Sequence, residues 1–143
     1  KDKNLSAIKC INATSQYKKV KNLEIEWSKY KYTVLEHSQR HYNTIRELLK
    51  NKDEYPVVKF YSLLEQALEM EPTSGSTENA ALHVWGYFKS TATDIEKTKF
   101  AQHLEAYRQG RCSIKSSKSF LRKLAQKYEE DYLLNSYYFY LTK

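Results

Sequence analysis

The sequence predicts an all-α protein that folds as a compact irregular bundle of six or seven helices. Along most of the chain, apolar residues recur at steps of three and four, the spacing of a helix with one buried face. The 143 residues include only three glycines and two prolines, most of them between the periodic segments, and no hairpin signal is present. A chain of this length supports a single domain around one core.

The first two helices are predicted on either side of Ser38. The helical period begins with Leu23, Trp27, Tyr30 and Val34, and the first helix should end near His37. The hydroxyl of Ser38 can cap a second helix, whose apolar face runs from residue 42 to residue 49 before "NKDEYP" breaks it.

The middle of the chain predicts three further helices. Pro56 suits the first turn of a helix over "VVKFYSLLEQALEM", which "EPTSGST" should end as a loop. A fourth helix is expected to start at Thr77 or Glu78. The spacing of Thr93 and Glu96 matches a capping box for a fifth.

Gly110 should terminate the fifth helix, and serines open the next one over residues 115–127. The segment "EEDYLLNSYYFYL" predicts a short aromatic helix at the end of the chain. Residues 1–21 hold six lysines against Asp2 and show no sustained period. We therefore expect a basic N-terminal arm over 1–21 and a single helical domain over 22–143.

Several function classes are disfavoured by what the sequence lacks. No segment approaches the roughly 18 consecutive apolar residues of a membrane span, and the first residues are not followed by a signal-peptide core. A soluble, cytoplasmic protein without a membrane partner is expected. The cysteines, Cys10 and Cys112, are too few and too far apart for a disulfide framework or a metal cluster.

Enzymatic motifs are also missing, because no P-loop, nucleophile elbow or dinucleotide fingerprint is present. His37 and His41 are four residues apart, but the helix should break between them, and no carboxylate pair completes a metal site. We expect no metal and no cofactor, and an enzyme is less favoured than a binding protein.

The charge distribution favours an anionic partner. The formal net charge is +7, and the stretch from Arg108 to Lys127 holds seven cations and no acid. On a helix, Lys115, Lys118 and Arg122 form one cationic stripe, with Lys123 beside it. We expect these side chains to be exposed. A solvated face without a partner is the alternative, but abundant tyrosines could stack on unpaired bases, which favours RNA.

A second polar group is expected around the fourth helix. Asn79, His83 and Tyr87 follow a spacing of four and form one polar stripe. The conservative interpretation is a histidine that is hydrogen-bonded within the fold. The functional interpretation is a pocket for a phosphate or a base edge, in which Lys29, Lys31, His37, His83 and Arg108 converge.

Three segments, "WSKYKYTVLEHSQRHY", "NAALHVWGYFK" and "LEAYRQG", resemble the YbgA-like family in their order and spacing. This family is a domain of unknown function, found alone or fused behind a thiouracil or thiouridine desulfidase domain. The resemblance runs from about Trp27 to the aromatic C-terminus. It implies that the polar positions shared with the family are Lys29, Tyr30, Lys31, His37, Ser38, Gln39, Asn79, His83, Gly86, Tyr87, Phe88, Lys89, Tyr107, Arg108 and Gly110.

In the fused relatives the desulfidase domain supplies the cluster-binding cysteines, and the appended domain is regarded as helping to hold thiolated transfer RNA. This chain lacks those cysteines, so the resemblance implies RNA holding without desulfurisation, with transfer RNA as the expected partner. A separate desulfidase domain acting in trans is a further candidate partner.

The charge pattern and the resemblance together give one set of residues expected to bind RNA or another anion: Lys29, Lys31, His37, Ser38, His83, Tyr87, Lys89, Arg108, Arg111, Lys115, Lys118, Arg122 and Lys123. Two alternatives stay open. One is a protein-interaction or scaffolding module, and the other is a small-molecule or nucleotide enzyme using His37 and His83 as acid and base.

Overall fold

A computed structural model describes residues 20–50 and 56–140, with side chains from Asn22 onward. These residues form seven α-helices and a terminal 3₁₀ helix: α1 (Val20–His37), α2 (Gln39–Lys50), α3 (Val57–Glu69), α4 (Ser74–Trp85), α5 (Asp94–Arg108), α6 (Ile114–Lys127), α7 (Asp131–Leu134) and the 3₁₀ helix (Tyr137–Phe139). The described ranges contain no strand, which confirms the all-α prediction. The arm predicted over 1–21 lies outside the described residues except for its last two, which belong to α1.

Helix α1 is the centre of the fold. It packs against α2, α3, α4 and the 3₁₀ helix, and every residue from Tyr32 to Ser38 is buried. The enclosed second half of the helix cannot keep a polar face in water, so its polar side chains need partners inside the protein. Two of those side chains, Glu36 and His37, find such partners in other elements.

The corner between α1 and α2 is built by Ser38, as the sequence predicted. Its Oγ accepts a hydrogen bond from the His41 amide at 3.2 Å and lies 2.8 Å from His41 Nδ1. The Ser38 amide still donates to the Val34 carbonyl at 2.7 Å. Ser38 alone therefore ends α1 and caps α2.

Helix α4 begins at Ser74, so the predicted start at Thr77 or Glu78 was wrong. Thr73 and Ser76 form a capping box, in which each side chain accepts from the other residue's amide. This cap satisfies the amide donors of the first turn. Gly75 therefore lies within the helix and does not mark a loop, because the cap offsets a glycine's conformational cost of about 0.5–1 kcal/mol.

The predicted boundaries of α5 are confirmed. Thr93 and Glu96 form the capping box, and Gly110 adopts a φ of 73° directly after the helix. The amide of Gly110 donates to the Tyr107 carbonyl at 3.0 Å and that of Arg111 to the Ala106 carbonyl at 2.9 Å. This hydrogen-bond pattern is a Schellman motif, which requires a left-handed residue and favours glycine.

Helix α6 starts one residue earlier than predicted, because Ser113 and not a later serine is its cap. The helix ends in a second Schellman motif, in which Glu130 donates to the Ala125 carbonyl at 2.9 Å. Glu129 occupies the left-handed position with a φ of 53°. A side chain at this position is strained, but α6 still ends at Lys127, as predicted.

Glu96 also holds the start of α5 against the end of α6. Its carboxylate accepts from Lys127 Nζ at 2.8 Å and from the Tyr128 hydroxyl at 2.6 Å. Hydrogen bonds lower the pKa of Glu96 to about 2, and the one from Lys127 has the largest effect, followed by those from Tyr128 and the Thr93 amide. The carboxylate is therefore ionised across the ordinary pH range, and the charge of Lys127 is compensated.

Two charged side chains, Glu36 of α1 and Lys118 of α6, meet in the interior. Lys118 Nζ lies 2.9 Å from Glu36 Oε2, and both side chains are only 4% exposed. The ammonium group donates to Glu36 Oε1 and to the Tyr138 carbonyl, both at 3.1 Å, and lies 4.2 Å from the centroid of the Tyr138 ring. One cation thus joins α1, α6 and the 3₁₀ helix.

The expectation that Lys118 is exposed was therefore wrong. The helical stripe that connects Lys115, Lys118 and Arg122 is continuous, but the 3₁₀ helix covers its middle. Lys118 is 3% exposed, whereas Lys115 and Arg122 face solvent. Spacing along a helix shows which side chains share a face, but it cannot show that a distant segment covers part of that face.

Replacing only Lys118, with Lys118→Met, is expected to lower the free energy of unfolding by about 3–5 kcal/mol, because Glu36 would stay buried without its counter-charge. Replacing both charges, with Glu36→Leu and Lys118→Met together, should recover most of this loss. Urea unfolding followed by circular dichroism measures both. A loss below about 1 kcal/mol in the single variant, the size typical of an exposed pair, would contradict the buried pair.

Candidate nucleic-acid interface

A basic groove runs along α6 where the C-terminal segment lies beside it. It is lined by Lys115, Lys118, Ser119, Arg122, Phe139 and Tyr140. We call this surface the basic groove. Because Lys118 is neutralised from inside by Glu36, the charges available to a ligand in the groove are those of Lys115 and Arg122.

Arg122 and Tyr140 form the outer part of the basic groove. The guanidinium carbon lies 5.4 Å from the centroid of the Tyr140 ring, and Nη2 donates to the Tyr140 hydroxyl at 3.3 Å. Tyr140 is 55% exposed, so part of its ring is accessible to a ligand. A cation and an open aromatic face therefore stand side by side, a combination that suits a phosphate next to a base.

The surroundings of the basic groove remain cationic. Lys123 and Arg111 are exposed, and the sequence from residue 109 to residue 127 contains no carboxylate. Two other cations of the predicted region are compensated by acids from other elements, Lys127 by Glu96 and Arg108 by Glu78 and Glu105. Between residues 108 and 127, the cations that no acid of the described residues pairs with are therefore Arg111, Lys115, Arg122 and Lys123.

The residues predicted around α1 have structural partners. His37 is buried, and its Nδ1 lies 2.7 Å from the Met70 carbonyl oxygen at the end of α3. Ser38 caps α2, as described above. Lys29 lies 3.6 Å from Glu26, one turn earlier in the same helix.

Lys31 differs from Lys29 because no acid of the described residues pairs with it. Its Nζ lies 5.6 Å from the Tyr32 ring centroid. Partial burial, and secondarily the nearby charge of Arg46, lower the pKa of Lys31. Sequence reasoning did not consider Arg46, since it lies on α2 outside every motif that was singled out.

Tyr87 belongs to a tyrosine cluster between α1, α4 and α7. Its hydroxyl lies 2.7 Å from that of Tyr32, and its ring stacks on Tyr132 with centroids 6.1 Å apart. Burial, followed by the hydrogen bond to Tyr87, raises the pKa of Tyr32 well above its ordinary value. The cluster joins α1, the turn that follows α4, and α7.

The expected convergence of Lys29, Lys31, His37, His83 and Arg108 stays a prediction. All five lie in the described part of the chain, and no hydrogen bond or ion pair connects any two of them. Ser76 Oγ donates to the Glu36 carbonyl at 2.6 Å, which places the start of α4 beside the end of α1. His83 lies seven residues farther along α4, about 10 Å from that level, and is exposed.

Two of the predicted residues line a different groove, one toward each end of it. Lys89 and Arg108 both line a groove between α4 and α5, whose floor includes Trp85 and Phe100. The sequence analysis had assigned both to an anion site but had not identified this apolar floor. It also missed Tyr140, because a tyrosine near the end of the chain carries no positional signal.

Neither metal binding nor membrane insertion finds support in the described residues. No group of three or more histidine, cysteine or carboxylate side chains among them could hold a metal ion. In the same ranges, no helix has the length and apolar character needed to cross a bilayer.

The two histidines that were expected to share a pocket should differ sharply on substitution. His37→Ala is expected to lower the free energy of unfolding by about 1–2 kcal/mol, because it removes a buried ring and its hydrogen bond to Met70. His83→Ala, on an exposed surface, should change it by less than about 0.5 kcal/mol. Urea titration of both variants measures the difference, and equal losses would contradict these separate environments.

Comparison with known proteins identifies one family. The profile of a protein family of unknown function, DUF1722, matches residues 31–141, which is more than half of the chain. A search of curated proteins found no match, and a search of solved structures found none either. The matched region contains all three motif segments, apart from the first four residues of the first one. The chain therefore belongs to the DUF1722 family, the YbgA-like domains of unknown function.

Proposed function

We propose that this domain binds RNA of the transfer-RNA type through the basic groove of α6, as an accessory domain without catalysis of its own. The observation that carries the proposal is the pairing of Arg122 with the exposed ring of Tyr140. Around this pair, Lys115 and Lys123 are exposed and no carboxylate interrupts the sequence of α6. An arrangement of this kind offers contacts to phosphates and to a base at the same place.

Electrostatics supports a polyanion more than a single small anion. The uncompensated cations Arg111, Lys115, Arg122 and Lys123 extend from the turn before α6 through its second half. A helix rises 1.5 Å per residue, so Lys115 and Lys123 lie about 12 Å apart along the axis. This distance exceeds the size of one phosphate and corresponds to two or more consecutive phosphates of a nucleic-acid strand.

Stacking favours unpaired nucleotides over a regular duplex. The bases of an RNA helix are stacked on one another, and side chains cannot enter its deep and narrow major groove. The ring of Tyr140 is open to solvent beside Phe139. A base from a loop or a single-stranded end can stack on that ring while its phosphates contact Arg122 and Lys115.

The choice of transfer RNA rests on the family and not on the groove. YbgA-like domains occur behind thiouracil or thiouridine desulfidase domains, which would act on thiolated transfer RNA. A desulfidase acting in trans is then the natural partner, since this chain has only Cys10 and Cys112. The role proposed for this domain is to hold the RNA while another domain performs the chemistry.

The charge contribution is tested by the salt dependence of RNA affinity. The variant Lys115→Gln, Arg122→Gln, Lys123→Gln removes three phosphate contacts. Because each contact to a single strand contributes about 0.7 to the log–log slope, the slope should fall by about 2. Fluorescence anisotropy with labelled transfer RNA at several salt concentrations measures it. Lys118 is left intact, since its replacement would disturb the fold.

A matched control removes the same number of charges elsewhere: Arg40→Gln, Lys50→Gln and Lys59→Gln, all exposed on α2 and α3. This variant should keep the slope of the wild type. If the wild type shows no salt-sensitive binding to transfer RNA, or both triple variants behave alike, RNA binding through the basic groove is excluded.

Stacking is tested separately by Tyr140→Leu. This change should weaken binding to a single-stranded oligonucleotide by about 1–3 kcal/mol, the usual contribution of one base–aromatic stack, without altering the salt slope. Tyr140→Phe keeps the ring and should bind like the wild type. Tyr132→Leu alters another exposed tyrosine, on α7, and serves as the control. Equal affinities for Tyr140→Leu and the wild type would remove Tyr140 from the interface.

A further inference from the structure

The groove between α4 and α5, distinct from the basic groove, has the features of a small-ligand site. Its volume is about 410 Å³, within the range of about 300–1,000 Å³ usual for ligand sites. Trp85 and Phe100 form the floor, with ring centroids 4.5 Å apart and planes inclined by only 10°. Leu82, which is 38% exposed, lines the same floor from α4.

The contacts between α4 and α5 show which residues lie at each end of the groove. Trp85 of α4 stacks on Phe100 of α5, and Arg108 at the end of α5 pairs with Glu78 near the start of α4. The two helices therefore run antiparallel. Lys89 follows Trp85 by about one turn and Lys97 precedes Phe100 by about one turn, so both lysines lie at the same end of the groove.

The two ends of the groove differ in charge. At one end, the guanidinium of Arg108 is neutralised by Glu78 and Glu105, and hydrogen bonds to these carboxylates raise its pKa. At the other end, Lys89 and Lys97 are exposed, and neither forms an ion pair with any acid in the described ranges. The floor between them is apolar. The groove thus has one positive end, an apolar middle and one end where two carboxylates outnumber the single guanidinium.

We infer that the α4–α5 groove binds a small amphiphilic anion: an apolar body rests on Trp85 and Phe100, and one anionic group lies between Lys89 and Lys97. This goes beyond the RNA function, since no residue of the basic groove takes part. Leu82 provides most of the exposed apolar surface for this body, because Trp85 and Phe100 are buried and stack on each other. A carboxylate, sulfonate or phosphate can each occupy the position between the lysines.

The inference is tested with two naphthalene dyes that differ in charge. The probe 8-anilinonaphthalene-1-sulfonate combines a flat apolar body with one anionic group, and N-phenyl-1-naphthylamine has a similar body without the charge. Fluorescence titration of the full chain should give saturable binding of one sulfonate per chain. The neutral probe should bind more weakly, by about tenfold if two partly exposed charge contacts are involved.

Variants locate the site. Lys89→Gln with Lys97→Gln should weaken the sulfonate by about tenfold and leave the neutral probe unchanged. Leu82→Glu, at an exposed position of the floor, should weaken both probes. The control Lys115→Gln with Lys123→Gln removes two charges from α6 and should leave both titrations unchanged. Circular dichroism of each variant checks that it is folded.

Three results would overturn the inference. They are an absence of saturable sulfonate binding, an unchanged affinity after loss of Lys89 and Lys97, and an equal loss of affinity in the α6 control. A synthetic amphipathic peptide of leucines and glutamates is titrated in parallel. Saturable binding of that peptide without binding of the sulfonate would also overturn it, in favour of an acidic helical protein partner.

Discussion

The ion pair between Glu36 and Lys118 is the interaction on which the rest of the structure depends. It lies in the interior, with both side chains 4% exposed, and joins the central helix α1 to α6. The same ammonium group bonds the Tyr138 carbonyl, so it also holds the C-terminal segment. Charges buried this deeply persist only when every partner is in place, and the pair therefore constrains three elements at once.

The ion pair also positions the proposed interface, because Tyr140 lies only two residues after Tyr138. Tyr138 is held against Lys118, and Tyr140 follows it after the end of the 3₁₀ helix, where its ring meets Arg122. Ser136 strengthens the arrangement, since its hydroxyl donates to the Lys29 carbonyl and accepts from the Tyr138 amide. Lys118 is too buried to reach a ligand, but it helps to fix the position of the exposed Tyr140 ring. Lys118, which is buried, and Lys115, which is exposed and is proposed to bind RNA, lie only one helical turn apart.

The sequence correctly predicted the helix caps and helix ends that depend on neighbouring residues. The capping box of Thr93 and Glu96, the serine corner at Ser38 and the left-handed Gly110 all depend on residues within a few positions of one another. Predictions failed where a segment distant in sequence determines whether a side chain is buried. The burial of Lys118 depends on Glu36, 82 residues away.

Chemical labelling of lysines distinguishes the buried Lys118 from the exposed lysines of α6. The folded chain is acetylated briefly, with and without transfer RNA, and each site is quantified by mass spectrometry. We expect Lys118 to be unreactive in both samples, Lys115 and Lys123 to react freely and to become protected by RNA, and Lys59 to react equally in both samples. Rapid labelling of Lys118 in the folded chain, or RNA protection at Lys59 without protection at Lys115 and Lys123, would contradict this expectation.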